Sequence, residues 1–142
     1  MTAAVQSHAR YRPSRLQRWA NTMLTRALRT GRGPRFMRLL SVRGRRSGVT
    51  RSTPVVPVRD AEHTWVVSPF GEVGWVRDAR VAGQVELHRG DDRTAYRVRE
   101  LGHDESGPVL RRYLSTPARF FAGRRIRDAS RPHPVFELTP VR

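Results

Sequence analysis

Short apolar runs, each closed by a glycine, proline or aspartate turn, constrain this chain most. They are Phe36–Val42, Pro54–Val58, His63–Ser68, Val85–His88, Thr94–Leu101 and Val135–Leu138. Each has the length and β-branched or aromatic content of a strand. Asp60-Ala61-Glu62 and Gly90-Asp91-Asp92 read as tight turns, and Pro134 and Pro140 bracket the last run. Most runs follow one another without an intervening helix. That excludes the strand–helix alternation of a doubly wound nucleotide-binding sheet. The pattern predicts an α+β chain: a small barrel of about six mostly antiparallel strands with two to four flanking helices.

The helices are read from periodicity. Leu16, Trp19, Met23, Leu24, Ala27 and Leu28 recur at helical spacing between Ser14 and Thr30, with Ser14 as cap and Gly31 as stop. This amphipathic helix either packs on the sheet or lies on an anionic membrane surface, which Trp19 and its arginines would suit. A second helix is expected from Glu72 or Gly74 to about Ala82. A third runs from Pro108 to Leu114, and Ala118–Phe121 continues it. Gly102–Ser106 reads as a loop and Gly123–Arg131 as a basic loop. Residues 1–13 read as a disordered tail, and 14–142 as one domain.

Between the first two runs lies Gly44-Arg45-Arg46-Ser47-Gly48-Val49-Thr50-Arg51-Ser52-Thr53, closed by Pro54. Glycine lets the backbone approach a ligand closely, and successive N–H groups can form an anion-binding concavity. Arginine adds a planar fork suited to phosphate or carboxylate. The loop therefore reads as an anion cradle at the mouth of the sheet, or as a solvated hairpin turn. Ser68-Pro69-Phe70-Gly71 begins a second candidate, where a strand end and a helix N-terminus can offer N–H groups to an anion or a planar ring. Its competing reading is a plain connection with Trp75 in the core.

A net charge of +16 points to an anionic partner. All 28 basic residues are arginine, a bias that GC-rich codons could produce, so no single arginine earns a role from charge alone. The absence of cysteine excludes disulfides, thiolate metal sites and cysteine nucleophiles. No apolar run reaches the roughly 20 residues of a membrane span, and Met1–Arg12 lacks a secretory signal pattern. A cytoplasmic protein, with membrane contact only at its periphery, is the expectation. The five histidines, His8, His63, His88, His103 and His133, show no ligand spacing, so no metal site is expected. No nucleophile elbow or phosphate-binding lysine loop is present, and no pair of carboxylates sits in an apolar run. Such a chain either only binds something or lets a cofactor do the chemistry.

These residues carry a resemblance. Gly44-Arg45-Arg46-Ser47-Gly48, then Arg51 and Thr53-Pro54, is similar to the GRKSG-x-x-R-x-TP signature of the deazaflavin-dependent nitroreductase family, flavin/deazaflavin oxidoreductases with a split β-barrel. Ser68 stands where that family has a serine before a Gly-rich turn. Trp75-Val76-Arg77-Asp78-Ala79 stands at its W-Y-x-N-L, and His133-Pro134-Val135-Phe136 resembles its I-P-V-V strand. The resemblance spans about residues 35–141. It implies a deazaflavin, coenzyme F-420. The coenzyme's phosphodiester and polyglutamate tail would meet Arg45, Arg46, Ser47 and Arg51 in the loop that Gly48, Thr53 and Pro54 complete. Its ring would lie against Ser68, Pro69, Phe70 and Gly71, near Trp75 and Val76. It also implies hydride transfer to an electrophilic acceptor such as a quinone or nitro compound, with the protein supplying placement and water exclusion.

The chain departs from the family at Val76, in place of tyrosine, and at Asp78, in place of asparagine. Asp78 either opposes anion binding or pairs with Arg77 or Arg80. Where the family places tyrosines over the substrate, this chain offers Tyr113, Phe120 and Phe121. Phenylalanine donates no hydrogen bond, so an apolar acceptor such as a quinone is expected. The first helix could reach it at a membrane. Two other classes stay open: a non-enzymatic split barrel holding FMN, haem or a tetrapyrrole, and a basic nucleic-acid-binding barrel. No strand carries the stacking aromatics of the latter, so no specific nucleic acid is expected. A monomer or a homodimer is compatible with the sequence.

Overall fold

The computed structural model describes residues 14–128 and 132–141; the expected tail, 1–13, lies outside them. Helix α1 (Arg15–Arg29) leads into β1 (Arg38–Arg43), β2 (Thr50–Val55), β3 (Val58–Arg59) and β4 (Thr64–Val67). Helix α2 (Gly74–Ala82), β5 (Gln84–Arg89) and β6 (Asp92–Glu100) follow. Helices α3 (His103–Tyr113) and α4 (Arg119–Arg127) precede β7 (Val135–Pro140).

The cap of α1 forms as its sequence predicts. Ser14 Oγ accepts from the Gln17 N–H at 3.2 Å, and Gln17 Oε1 accepts from the Ser14 N–H at 3.0 Å. At the other end Gly31 takes φ +80°. Its N–H donates to the Leu28 carbonyl at 3.1 Å, while the Arg32 N–H donates to Ala27 at 2.8 Å, closing a Schellman motif. The β5–β6 hairpin is stitched to this end. The Gly90 N–H donates to the Leu28 carbonyl at 2.8 Å. A Cβ on Gly90 would lie 3.1 Å from Gly31 Cα, so the two backbones touch where only glycine fits.

The strands form one seven-stranded sheet, ordered β2-β1-β5-β6-β7-β4-β3, with every pairing antiparallel. β2 and β3 sit at opposite edges, yet only Val56 and Pro57 separate them in sequence. Three peptide steps span about 11 Å at most. The two edges must therefore meet there, and the sheet curls into the split barrel expected from the resemblance. Leu39 and Leu40 show how both faces are used. Leu39 joins Leu28, Val67, Tyr113 and Ile126 under α1, α3 and α4. Leu40 joins Val66, Val76, Leu87 and Phe136 against α2.

Several boundaries move. The described residues form seven strands, and β2 covers Thr50–Val55, so four residues of the expected loop, Thr50 to Thr53, are strand. β2 does not pair with β3, whose partner is β4. Helix α3 begins at His103, where a loop was expected. Gly123–Arg127 is helical, because Ala122, Gly123 and Ile126 bury one face of α4 while Arg119, Arg124 and Arg127 are exposed.

Candidate functional site

An apolar cavity of about 630 Å3 opens where the curl is split. Pro54, Val55 and Val56 form one wall; Val67, Pro69, Phe70, Val73 and Trp75 form the next. Tyr113, Ala118, Phe121 and Ala122 close the far side, and Gln17, Ala20, Asn21 and Leu24 of α1 roof it. Trp75 is held at a tilt against Phe136, with ring centroids 5.8 Å apart. The Arg125 guanidinium covers the Phe70 ring at 4.8 Å.

The turn after β4 is locked from within. Ser68 is fully buried; its hydroxyl donates to the Gly71 carbonyl at 2.6 Å and its N–H to the Pro134 carbonyl at 2.9 Å. Ser68 therefore shapes the turn rather than facing the cavity. The Gly74 and Trp75 N–H groups, in the first turn of α2, have no acceptor among the described residues. They are helix-terminal donors beside the cavity wall.

The arginine hairpin is equally built. The Gly44 N–H donates to Val49 O at 2.9 Å, the Gly48 N–H to Gly44 O at 3.0 Å, and the Val49 N–H to Ser47 Oγ at 3.1 Å. A Cβ on Gly44 would stand 2.8 Å from Ser47 Oγ and 3.1 Å from the Val49 carbonyl oxygen, so a side chain there would displace the groups that brace the turn. Asp78 pairs with neither Arg77 nor Arg80. Its Oδ1 accepts from the Arg45 N–H at 3.1 Å and from the Arg45 guanidinium at 2.7 Å. Arg80 is instead engaged by Glu72 and Glu100, at 2.6 Å each. Burial alone would push the Asp78 carboxyl up, but the two Arg45 hydrogen bonds outweigh it and hold the group below its ordinary value. Arg45 is thereby neutralised. Arg46 and Arg51 stay exposed, with no hydrogen-bonded carboxylate among the described residues.

Of the residues singled out in the sequence, Thr53, Pro54, Pro69, Phe70, Trp75, Tyr113 and Phe121 line the cavity together. Gly71 caps the turn beside it, and Arg45, Arg46, Ser47, Gly48 and Arg51 belong to the hairpin. Val76 lies fully buried behind Trp75 in the core, and Phe120 is 74% exposed under the Arg119 guanidinium. Sequence reasoning missed the α1 roof, Met37, Ala118, Ala122 and Arg125. The α1 residues could have been found as the flank of its apolar stripe; the others carry no local signal.

The fold is thus a split barrel with an apolar cavity at the split, lined in part by Thr53 and Pro54 of the strand that leaves the arginine hairpin. A family model described as F420H(2)-dependent quinone reductase matches residues 9–140, and the chain belongs to that family. Membership makes it an oxidoreductase whose coenzyme is F420. Among solved structures, an F420-H2 dependent reductase (FDR-A) is similar with TM-score 0.59 and 20% identity, over 74% of this chain and 95% of that one. HutZ, the heme storage protein of Vibrio cholerae, gives TM-score 0.59 and 14% identity over 76% and 83%. A putative pyridoxamine 5′-phosphate oxidase from Listeria innocua gives 0.55 and 13% over 75% and 85%. At these identities the likeness is one of fold. No curated protein matches the chain.

Proposed function

We propose that the cavity seats the coenzyme ring beside an apolar acceptor, and that this acceptor is a quinone. The carrying observation is the cavity wall, mostly apolar, with Tyr113 as its phenol and Gln17, Asn21, Thr53 and Arg125 as its other polar groups. Three features fit the coenzyme. The volume lies within the roughly 300–1,000 Å3 of small-molecule sites. Trp75, Phe70 and Pro54 offer flat apolar surface, and the N–H groups of Gly74 and Trp75 offer donors to a polar ring edge. Arg46 and Arg51, beside the braced Ser47 and Gly48, answer the phosphodiester.

When bound, the reduced deazaflavin supplies a hydride, and a quinone accepting it with one proton becomes a hydroquinone. The chain contributes placement, exclusion of water and one hydrogen bond. Tyr113 is buried, and that burial pushes its ionisation up to about 12. It therefore stays an O–H donor at neutral pH, and its hydroxyl has no partner among the described residues. That donor can polarise a quinone or nitro oxygen, while solvent supplies the net proton. The test is oxidation of reduced coenzyme, followed by absorbance, with a menaquinone analogue beside a nitroaromatic and an FMN control. Turnover with the quinone is expected. No oxidation across a quinone panel removes that acceptor, and tighter binding of FMN than of coenzyme removes the cofactor reading.

A second observation favours contact with an anionic membrane surface. Leu16, Trp19 and Met23 form one stripe of α1 and are 74%, 63% and 46% exposed, with Arg15 and Arg18 alongside. No helix among the described residues is long and apolar enough to cross a membrane. Co-sedimentation with anionic vesicles and a blue shift of Trp19 emission are expected. Concentration-dependent burial of Trp19 without lipid would instead make the stripe a dimer face.

A further inference from the structure

A second trough, of about 620 Å3, runs between α1 and the edge strand β2. It joins the apolar cavity, since Asn21, Thr53 and Pro54 line both. Arg18, Arg26 and Arg29 line its helix side, with Thr22 and Thr25 between them. From Arg18 to Arg29 the helix rises roughly 16 Å. No acidic residue lines the trough, and no ion pair among the described residues engages those three arginines. The carboxylates that do pair serve Arg45, His63, Arg80, Arg93 and Arg99 elsewhere.

The opposite wall is polar and fixed. The Gly44–Val49 bond sets the phase of the ladder, so Thr50, Ser52 and Pro54 turn their backbone groups away from β1. The Ser52 hydroxyl is held 2.7 Å from Ser41 Oγ, which lies 2.8 Å from His88 Nε2. His88 is 4% exposed. By strand alternation Thr50 and Arg43 continue this face toward the hairpin tip, and the Arg43 guanidinium lies over Gly48, 3.5 Å from where a Cβ would sit. On the other face α2 is packed, with Asp78 already holding Arg45. A flexible anion leaving the cavity past Thr53 and Pro54 thus enters a trough lined by three arginines that no carboxylate among the described residues engages.

We propose that the trough between α1 and β2 is the track of the coenzyme's carboxylate-bearing tail, with Arg18, Arg26 and Arg29 as its counter-ions. This deepens the coenzyme reading above and rests on it. Coenzyme with its full tail and a tail-less deazaflavin riboside are titrated by fluorescence into the wild type and into Arg18→Glu/Arg29→Glu. A distal pair of equal charge change, Arg111→Glu/Arg124→Glu, serves as control, and Arg18→Gln/Arg29→Gln replaces the first variant should it fail to fold. The trough variant is expected to lose at least tenfold in affinity for the full coenzyme and to keep its affinity for the riboside, with the control unchanged. Undiminished binding of the full coenzyme, or an equal loss in the control, overturns the track and leaves the coenzyme reading standing. Binding of neither molecule by the wild type overturns both.

Discussion

Tyr113 carries the most direct test of the proposed chemistry. Tyr113→Phe keeps the cavity shape and removes its phenolic donor, so quinone reduction should slow by about ten- to a hundredfold with coenzyme affinity unchanged. Stability should respond only in alkali. The folded ionisation, near 12, lies above the ordinary 10.0, so the folded state binds more protons between those values. Stability then falls as pH rises from about 10 to 12, by roughly 2–3 kcal/mol, and the phenylalanine variant lacks that component. Asp78 is the opposite case. Its lowered ionisation gives stability that is present at neutral pH and lost as pH drops below 3.8 toward the folded value. Asp78→Ala should cost about 1–3 kcal/mol, loosen the hairpin and flatten that acid limb in a melting series. Local backbone structure was legible where a motif carried it, as in the hairpin and the turn after Ser68. Which arginine is spoken for was not: Asp78 meets Arg45 across 33 positions, and nothing local announces that pair.

Elements were legible where packing and local pattern agree. Helix α1 has its cap, stripe and stop within one stretch, and the structure keeps all three. The apolar residues Leu16, Trp19 and Met23 nonetheless face outward, while Leu28 of the same helix is buried and Leu24 packs beside the core. β2 was misplaced because an edge strand needs no apolar alternation. Thr50 and Arg51 are exposed, and Pro54 sits opposite Leu39 at a position that asks for no N–H. In α4, Arg119, Arg124, Arg125 and Arg127 hide the spacing of Ala122 and Ile126. The junction of α1 with the β5–β6 hairpin gives a prediction. Gly90→Ala places a methyl 3.1 Å from Gly31 Cα at φ +59°. It should destabilise by about 1–3 kcal/mol, measured by thermal melting. A loss under about 0.5 kcal/mol would mean that the two backbones are free to part.

At the scale of the molecule, the charge of +16 makes coenzyme binding a screened interaction. Raising salt from about 0.1 M to about 1 M shortens the Debye length from about 10 Å to about 3 Å. Affinity for the tailed coenzyme should fall at least tenfold, while a tail-less analogue held by the apolar cavity should change little; equal sensitivity of the two would argue against electrostatic capture. The barrel itself was legible as a class, because consecutive strands leave few alternatives. Strand order was not, since it depends on β7, the last strand in sequence, slotting between β6 and β4. That placement dictates a birth order for the fold. A nascent chain halted before Val135 has two bare rims, on β4 and β6, and no way to seal either. Those two rims are sealed only when the closing stretch clears the ribosome and drops in like a keystone.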